Sequence, residues 1–134
     1  MDTLSLEERS RRMSRIKSKN SKPELLVRKL VHSMGYRYRL HENRLPGKPD
    51  LVFRKKQKII LVHGCFWHRH GKCPLTRWPK SKLDFWKPKL EANKKRDKRN
   101  ISKLKSMHWD VLIIWECEIP NRENLVERLK TFLD

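Results

Sequence analysis

The sequence predicts an α/β fold in which a mixed central sheet is flanked by helices. Three observations carry that prediction. The apolar runs Ile59–Val62 and Val111–Trp115 have the length and composition of strands. Segments beginning at Ser21 and Asn121 place apolar residues at helical spacing behind capping side chains. These segments alternate along the chain as helix, helix, strand, hairpin, long helix, strand, helix, over a length of 134 residues that suits one domain with its own core.

Ser5-Leu6-Glu7-Glu8 has the form of a capping box and predicts a helix to about Ser18. Its body is Arg9, Arg11, Arg12, Arg15 and Lys17 with few core-forming side chains, so residues 1–20 read as a basic arm that orders on a partner. Ser21-Lys22-Pro23-Glu24 repeats the capping pattern. Leu25, Leu26, Leu30, Val31 and Met34 then predict an apolar stripe, which Gly35 ends. Tyr36–Leu40 alternates like a strand, and Leu45-Pro46-Gly47-Lys48-Pro49 is a loop. Leu51–Arg54 and Lys58–His63 predict a hairpin turning at residues 55–57, and residues 64–80, rich in Gly, Pro, Cys and His, predict irregular structure. A long helix is expected from Ser81 to Met107, with Pro88 bending it or marking its true start. Trp109–Trp115 predicts a buried strand, and Asn121 a cap for a last helix that turns Leu125, Val126, Leu129 and Phe132 to the core.

Composition narrows the partner. The chain has 34 Lys and Arg against 15 Asp and Glu, a formal charge of +19 and a pI near 10.4. So large an excess opposes a compact fold unless a polyanion neutralises it, which points to nucleic acid held with a strong salt dependence. The absence of a long apolar segment or lipidation motif argues against a membrane partner, and Met1-Asp2-Thr3-Leu4 lacks the apolar centre of a signal peptide. Three cysteines cannot all pair within one chain, so a reduced, cytoplasmic protein that uses its thiols for metal is expected.

Residues 50–73 concentrate the chemistry. Asp50 follows Pro49 at the opening of a strand, where a carboxylate can hold Mg²⁺ and leave water positions open. His63 ends the neighbouring strand, close enough across the hairpin to face the same cation. Asp97 shares a helix face with Leu90, Ile101 and Leu104; it either orients a histidine or pairs with Arg96 or Lys98. Glu24 is a first-turn capping residue that the same position can aim into the site. Cys65, His70 and Cys73 have C-x4-H-x2-C spacing, and with Cys117 would form a closed, structural Cys3His zinc site; His68 is the competing ligand and is better left free for chemistry. Phe66, Trp67, Trp78, Phe85 and Trp86 either pack around that knot or present rings to bases, while the Arg11–Lys22 and Lys94–Arg99 runs suit phosphates. Acid, imidazole, zinc knot and positive charge together point to cleavage of a nucleic-acid backbone. A zinc-stabilised DNA-binding module without catalysis is the competing reading, and it leaves Asp50 and Asp97 without a purpose.

The chain also resembles the very short patch repair (Vsr) endonucleases. The matching residues are Met13-Ser14-Arg15-Ile16, Lys22-Pro23-Glu24, Leu45-Pro46-Gly47-Lys48-Pro49-Asp50, His63-Gly64-Cys65-Phe66-Trp67-His68, Asp97 and Trp115-Glu116-Cys117, in the family's order over nearly the whole chain. The resemblance implies a variant of the restriction-endonuclease fold. It implies a strand-specific nick 5′ of the thymine of a T:G mismatch left by deamination of 5-methylcytosine, and so a functional link to a cytosine-5 DNA methyltransferase. Carried over, Asp50 binds catalytic Mg²⁺ and His68 activates water or shuttles its proton, with Glu24, His63 and Asp97 in support. Phe66, Trp67 and Trp86 form a wedge in double-stranded DNA, and Met13, Arg15, Lys17 and Lys19 contact it from the arm. Cys65, His70, Cys73 and Cys117 hold structural Zn²⁺. Val62 stands where the family has a threonine, so a backbone carbonyl is the group left there to serve the Mg²⁺. Two residues separate His70 from Cys73 where one is usual, and Arg69 replaces a histidine. A monomer is expected, since an asymmetric lesion needs no two-fold protein. A nuclease of different target specificity on the same scaffold is the remaining alternative.

Overall fold

A computed structural model describes residues 21–71, 73–76, 78 and 81–134. The helix expected over 5–18, and with it Met13, Arg15, Lys17 and Lys19, lies outside the described residues.

Helix α1 (Lys22–Ser33) starts as its sequence dictates: the Ser21 hydroxyl accepts from the Glu24 N–H at 3.4 Å, and Pro23 sits in the first turn, where no N–H is needed. Its buried face differs from the expected stripe. Glu24, Val27, Leu30 and Val31 are buried, whereas Leu25 and Leu26 are exposed. Spacings of three and four put Glu24, Val27 and Val31 on one side, so the inward face runs directly into a carboxylate. Gly35, at φ +94°, supplies the left-handed residue that ends the helix.

Among the described residues the sheet has four strands in the order β1 (Arg39–Leu40), β2 (Leu51–Phe53), β3 (Lys58–His63) and β4 (Asp110–Trp115). The first two pairings are antiparallel and β3 with β4 is parallel, so the sheet is mixed as predicted. The strand expected over 36–40 shortens to two residues. The hairpin falls where predicted, with Gln57 in the left-handed region at φ +54°. The parallel pair requires a crossover, which is helix α3 (Leu83–Ser106). That helix begins at Leu83 and runs through Pro88, which has no N–H to give the Asp84 carbonyl. Strand β4 is less enclosed than its apolar run predicts: Ile114 is buried and its neighbours are half-buried or exposed, because β4 is an edge of the described sheet.

Strand alternation divides the core. Leu51, Phe53, Ile60 and Val62 face α1 and the last helix, α4 (Arg122–Leu133), whose Leu125, Leu129 and Leu133 are buried with Val126 and Phe132 packed beside them. Asn121 caps α4 by accepting from the Asn124 N–H at 3.3 Å, as expected. Val52 and Ile59 face the opposite way, against Leu104 of α3. The stretch expected to be irregular holds a short helix, α2 (Cys65–His68), and a 3-10 turn at Pro74–Thr76. A third cluster of Trp67, Trp86 and Leu90 joins α2 to α3. Among the described residues no helix is long and apolar enough to cross a membrane.

Candidate active site

The C-terminal end of β3 and the first residue ahead of β2 meet beneath α3 and the start of α1, and line a cavity of about 540 Å³. A wider depression of about 1020 Å³ runs along Trp109–Leu112 and α4, but it holds none of the donor groups below.

Asp50 enters the cavity because the loop before it is fixed. Gly47 has φ +76°, and a Cβ there would lie 2.8 Å from Asn100 Nδ2 and 3.2 Å from Asn100 Cβ of α3, so a larger residue would force Asn100 or the loop to shift. Asp50 Oδ2 then accepts from the Val62 N–H at 2.8 Å. Burial raises the Asp50 carboxyl from its ordinary 3.8 to about 7. The Val62 N–H opposes the rise, and the nearby Glu24 and Asp97 charges add to it. A carboxyl so crowded by acids fits a divalent cation, which would relieve both the burial and the repulsion.

His63, at the end of β3, is buried, and its Nδ1 has no hydrogen-bond partner among the described residues. Burial, then repulsion from His68, lowers it to about 3 against the pull of Asp97, so it is neutral at physiological pH. His68 of α2 stacks on it with centroids 3.8 Å apart, and His68 Nδ1 donates a hydrogen bond to Asp97 Oδ2. That bond resolves the two expectations for Asp97. It orients a histidine, while Arg96 donates to Asn93 instead. Its position midway between buried Leu90 and Leu104 delivers it to the cavity. Glu24 serves both expected purposes: its N–H takes the cap, and its carboxylate, 3% exposed, lines the cavity.

Cys65, His70, Cys73 and Cys117 come together with their donor atoms within 4.8 Å of one another. His70 Nδ1 is 3.6 Å from Cys65 Sγ and 3.4 Å from Cys117 Sγ. Zinc bond lengths of about 2.3 Å to sulfur and 2.05 Å to nitrogen at a tetrahedral angle require about 3.6 Å, so this donor set fits Zn²⁺. Burial pushes the Cys65 thiol up to about 12. Arg69 braces the loop, with its guanidinium on the Trp78 ring at 3.8 Å and a hydrogen bond to the Thr76 carbonyl at 2.6 Å.

Phe66, Trp67 and Trp86 form one edge-to-face cluster with centroids 5.3–6.2 Å apart. Trp67 and Trp86 are 4% and 3% exposed and pack on Leu90, so either ring reaches a base only if the cluster opens. Phe66 is half-buried, and Phe85, which packs on Trp86, is 54% exposed. Lys89 Nζ lies 5.6–5.8 Å from the Trp67, Phe85 and Trp86 rings.

Three contributors have roles that the sequence did not assign. Glu116 accepts from the Cys65 N–H at 3.3 Å, which ties the end of β4 to the start of α2. Asn100 seats Gly47. His41 donates to Glu24. The alternation of 36–40 carries on to His41, but the register that sets it opposite Asp50 belongs to the fold.

Residues 1–74 match the family model described as DNA mismatch endonuclease Vsr. The type II nicking enzyme V.XorIIP of Xanthomonas oryzae is 48% identical over 99% of this chain and 97% of its own length. V.NmeAIP of Neisseria meningitidis is 41% identical over 96% and 91%. The DNA mismatch endonuclease Vsr of Escherichia coli is 37% identical over 92% and 78%. With a cavity of paired carboxylates and an acid-held histidine, and with kinship over almost its full length, the chain belongs to the Vsr family of DNA endonucleases.

Proposed function

We propose that this endonuclease is a Mg²⁺-dependent, strand-specific nickase acting on T:G mismatches in double-stranded DNA, hydrolysing the phosphodiester 5′ of the mismatched thymine. The observation that carries the reading is the convergence of Asp50 and the Asp97-held His68 on one cavity. The names of the relatives, mismatch endonuclease and nicking enzymes, support it.

Asp50 and the Val62 carbonyl would hold Mg²⁺. The Val62 N–H points at Asp50, and within a strand a residue's N–H and C=O face the same edge. Bound there, the ion would polarise the scissile phosphate and stabilise its developing charge. Asp97 occupies Nδ1 of His68, which leaves Nε2 to take a proton from the attacking water. Neutral His63 packs flat on His68 and fixes its plane. Glu24 keeps the second carboxylate beside Asp50. Phe66 leads the wedge, with Trp67 and Trp86 following as the cluster opens on DNA. Zn²⁺ on Cys65, His70, Cys73 and Cys117 braces the loop that carries α2. The Lys94–Arg99 stretch of α3 and the arm at 1–20, with Met13, Arg15, Lys17 and Lys19, hold the backbone.

We further infer one restriction-endonuclease-like domain spanning 1–134, working as a cytoplasmic, nucleoid-associated monomer alongside a cytosine-5 methyltransferase. Labelled duplexes with a single T:G mismatch or a matched T:A pair, with and without Mg²⁺, test the reading. One nick beside the mismatched thymine, only with metal, is expected. Cleavage of both duplexes refutes the mismatch requirement, and nicking by Asp50→Ala refutes the role of Asp50.

A further inference from the structure

We propose that His41 joins Glu24 and Asp50 in a three-donor divalent-cation site, and that its imidazole shifts the site's preference from Mg²⁺ towards Mn²⁺. This rests on the reading of Asp50 as a cation ligand.

The strand register brings the three together. Leu40 pairs with Leu51, so His41 stands opposite Asp50, and the His41 N–H donates to the Asp50 carbonyl at 3.2 Å. Residues opposite each other across an antiparallel pair project to the same side. His41 leaves the strand at φ +47°, a left-handed conformation in which histidine is among the enriched side chains. Its Nε2 donates to Glu24 Oε2 at 2.9 Å, which also accepts from Arg28 at 3.3 Å. One imidazole nitrogen and one oxygen from each carboxylate lie within 4.8 Å of one another. Donors held at about 2.1 Å lie about 3.0 Å apart where cis, so His41 Nε2 and Glu24 Oε2 at 2.9 Å already suit one cation, which on binding would displace the Nε2 proton. The same cavity contains His63, whose buried Nδ1 has no partner among the described residues.

The donor set decides the chemistry. Carboxylates and water suit Mg²⁺, whereas an imidazole favours transition ions, and Mn²⁺ accepts both kinds of donor. A structural hydrogen bond to Glu24 alone would not require a metal-binding nitrogen. Glutamine at this position keeps a donor towards Glu24 and removes the imidazole, so it separates ligation from support.

The test uses the full chain loaded with Zn²⁺. Mn²⁺ is titrated by electron paramagnetic resonance with Mg²⁺ in competition, and the bound ion is examined for nitrogen coupling. The wild type should bind Mn²⁺ with imidazole coupling. His41→Gln should lose the coupling and weaken Mn²⁺ by about tenfold or more while changing Mg²⁺ far less. Coupling and affinity retained in His41→Gln overturn the proposal, as does a wild type that binds no Mn²⁺. Mn²⁺ that binds without coupling but is lost in Asp50→Asn overturns His41 as a ligand and leaves the Asp50 reading standing. Binding that survives Asp50→Asn unchanged overturns both. Mg²⁺-dependent nicking of the T:G duplex, measured on the same samples, reports on the endonuclease reading independently.

Discussion

Replacing Asp50 by asparagine should stabilise the Mg²⁺-free protein at pH 8 while abolishing nicking. The folded state raises this carboxyl from 3.8 to about 7, chiefly by burial and then by the Glu24 and Asp97 charges. Between those values the folded chain keeps a proton that the unfolded chain releases, so stability falls as pH rises through the window and is flat outside it. At about 1.4 kcal/mol per tenfold in proton affinity, the ceiling is about 4 kcal/mol, and relaxation around the ionised group makes what one substitution recovers smaller than that. The amide keeps the shape and an oxygen for the Val62 N–H, but it carries no charge. Urea unfolding of Zn²⁺-loaded protein without Mg²⁺ should give a gap between variant and wild type that widens from pH 5 to pH 8. Adding Mg²⁺ at about 100 times its dissociation constant should then stabilise the wild type by about 2.7 kcal/mol and leave Asp50→Asn unchanged. A gap of the same size at every pH would refute the argument, because the effect would not come from ionisation.

Asp97→Asn should leave His68 without its carboxylate and lower the nicking rate by about 10²-fold or more with little change in DNA affinity, measured by single-turnover cleavage beside a binding titration. Gly47→Ala must place a Cβ 2.8 Å from Asn100 Nδ2 at φ +76°, and should destabilise the fold by about 1–3 kcal/mol in urea while lowering the affinity for Mg²⁺.

Local signals were legible wherever local physics decides structure. Ser21 and Asn121 cap the helices they were expected to cap, and the hairpin turns where Lys55-Lys56-Gln57 interrupts two apolar runs. The phase of α1 was not legible, because Leu25, Leu26 and Val27 are equally apolar and only packing against the sheet selects Val27. An apolar run likewise does not reveal whether its strand is central or at an edge, so β4 was expected to be buried. Cysteine economy grouped Cys65, Cys73 and Cys117, and spacing offered His70 with His68 as its competitor; the fold brings His70 to the three thiols. Asp97 could not be assigned, since Arg96, Lys98 and a distant histidine were all open to it until α2 packed on α3. His41 was hidden because it matters through the register across the 41–50 loop rather than through any motif.

Trp115 links the proposed zinc knot to the His63–His68 pair, and that linkage sets what zinc removal should do. Its ring stacks on His70 at 4.1 Å and meets His63 edge-on at 5.1 Å, while His63 stacks on His68, which Asp97 holds. Cys65 also opens α2, the helix that ends in His68, so the proposed zinc ligands and the proposed base share four residues of backbone. With the thiols left protonated, as burial favours for Cys65, His70 is held against Trp115 by packing, weak thiol contacts at 3.4–3.6 Å and its backbone bond to the Cys65 carbonyl, without the stronger metal bonds. Chelation of Zn²⁺ should therefore lower the nicking rate before it unfolds the sheet, whose core of Ile60, Val62 and Leu129 is separate from the knot. The measurement is near-ultraviolet circular dichroism of the tryptophans against far-ultraviolet signal and cleavage rate during chelation. Loss of the aromatic signal and of nicking at constant far-ultraviolet signal is expected. Full activity after chelation, with the tryptophan signal gone, would show that His68 is held by Asp97 and α3 alone and that the zinc knot serves stability only.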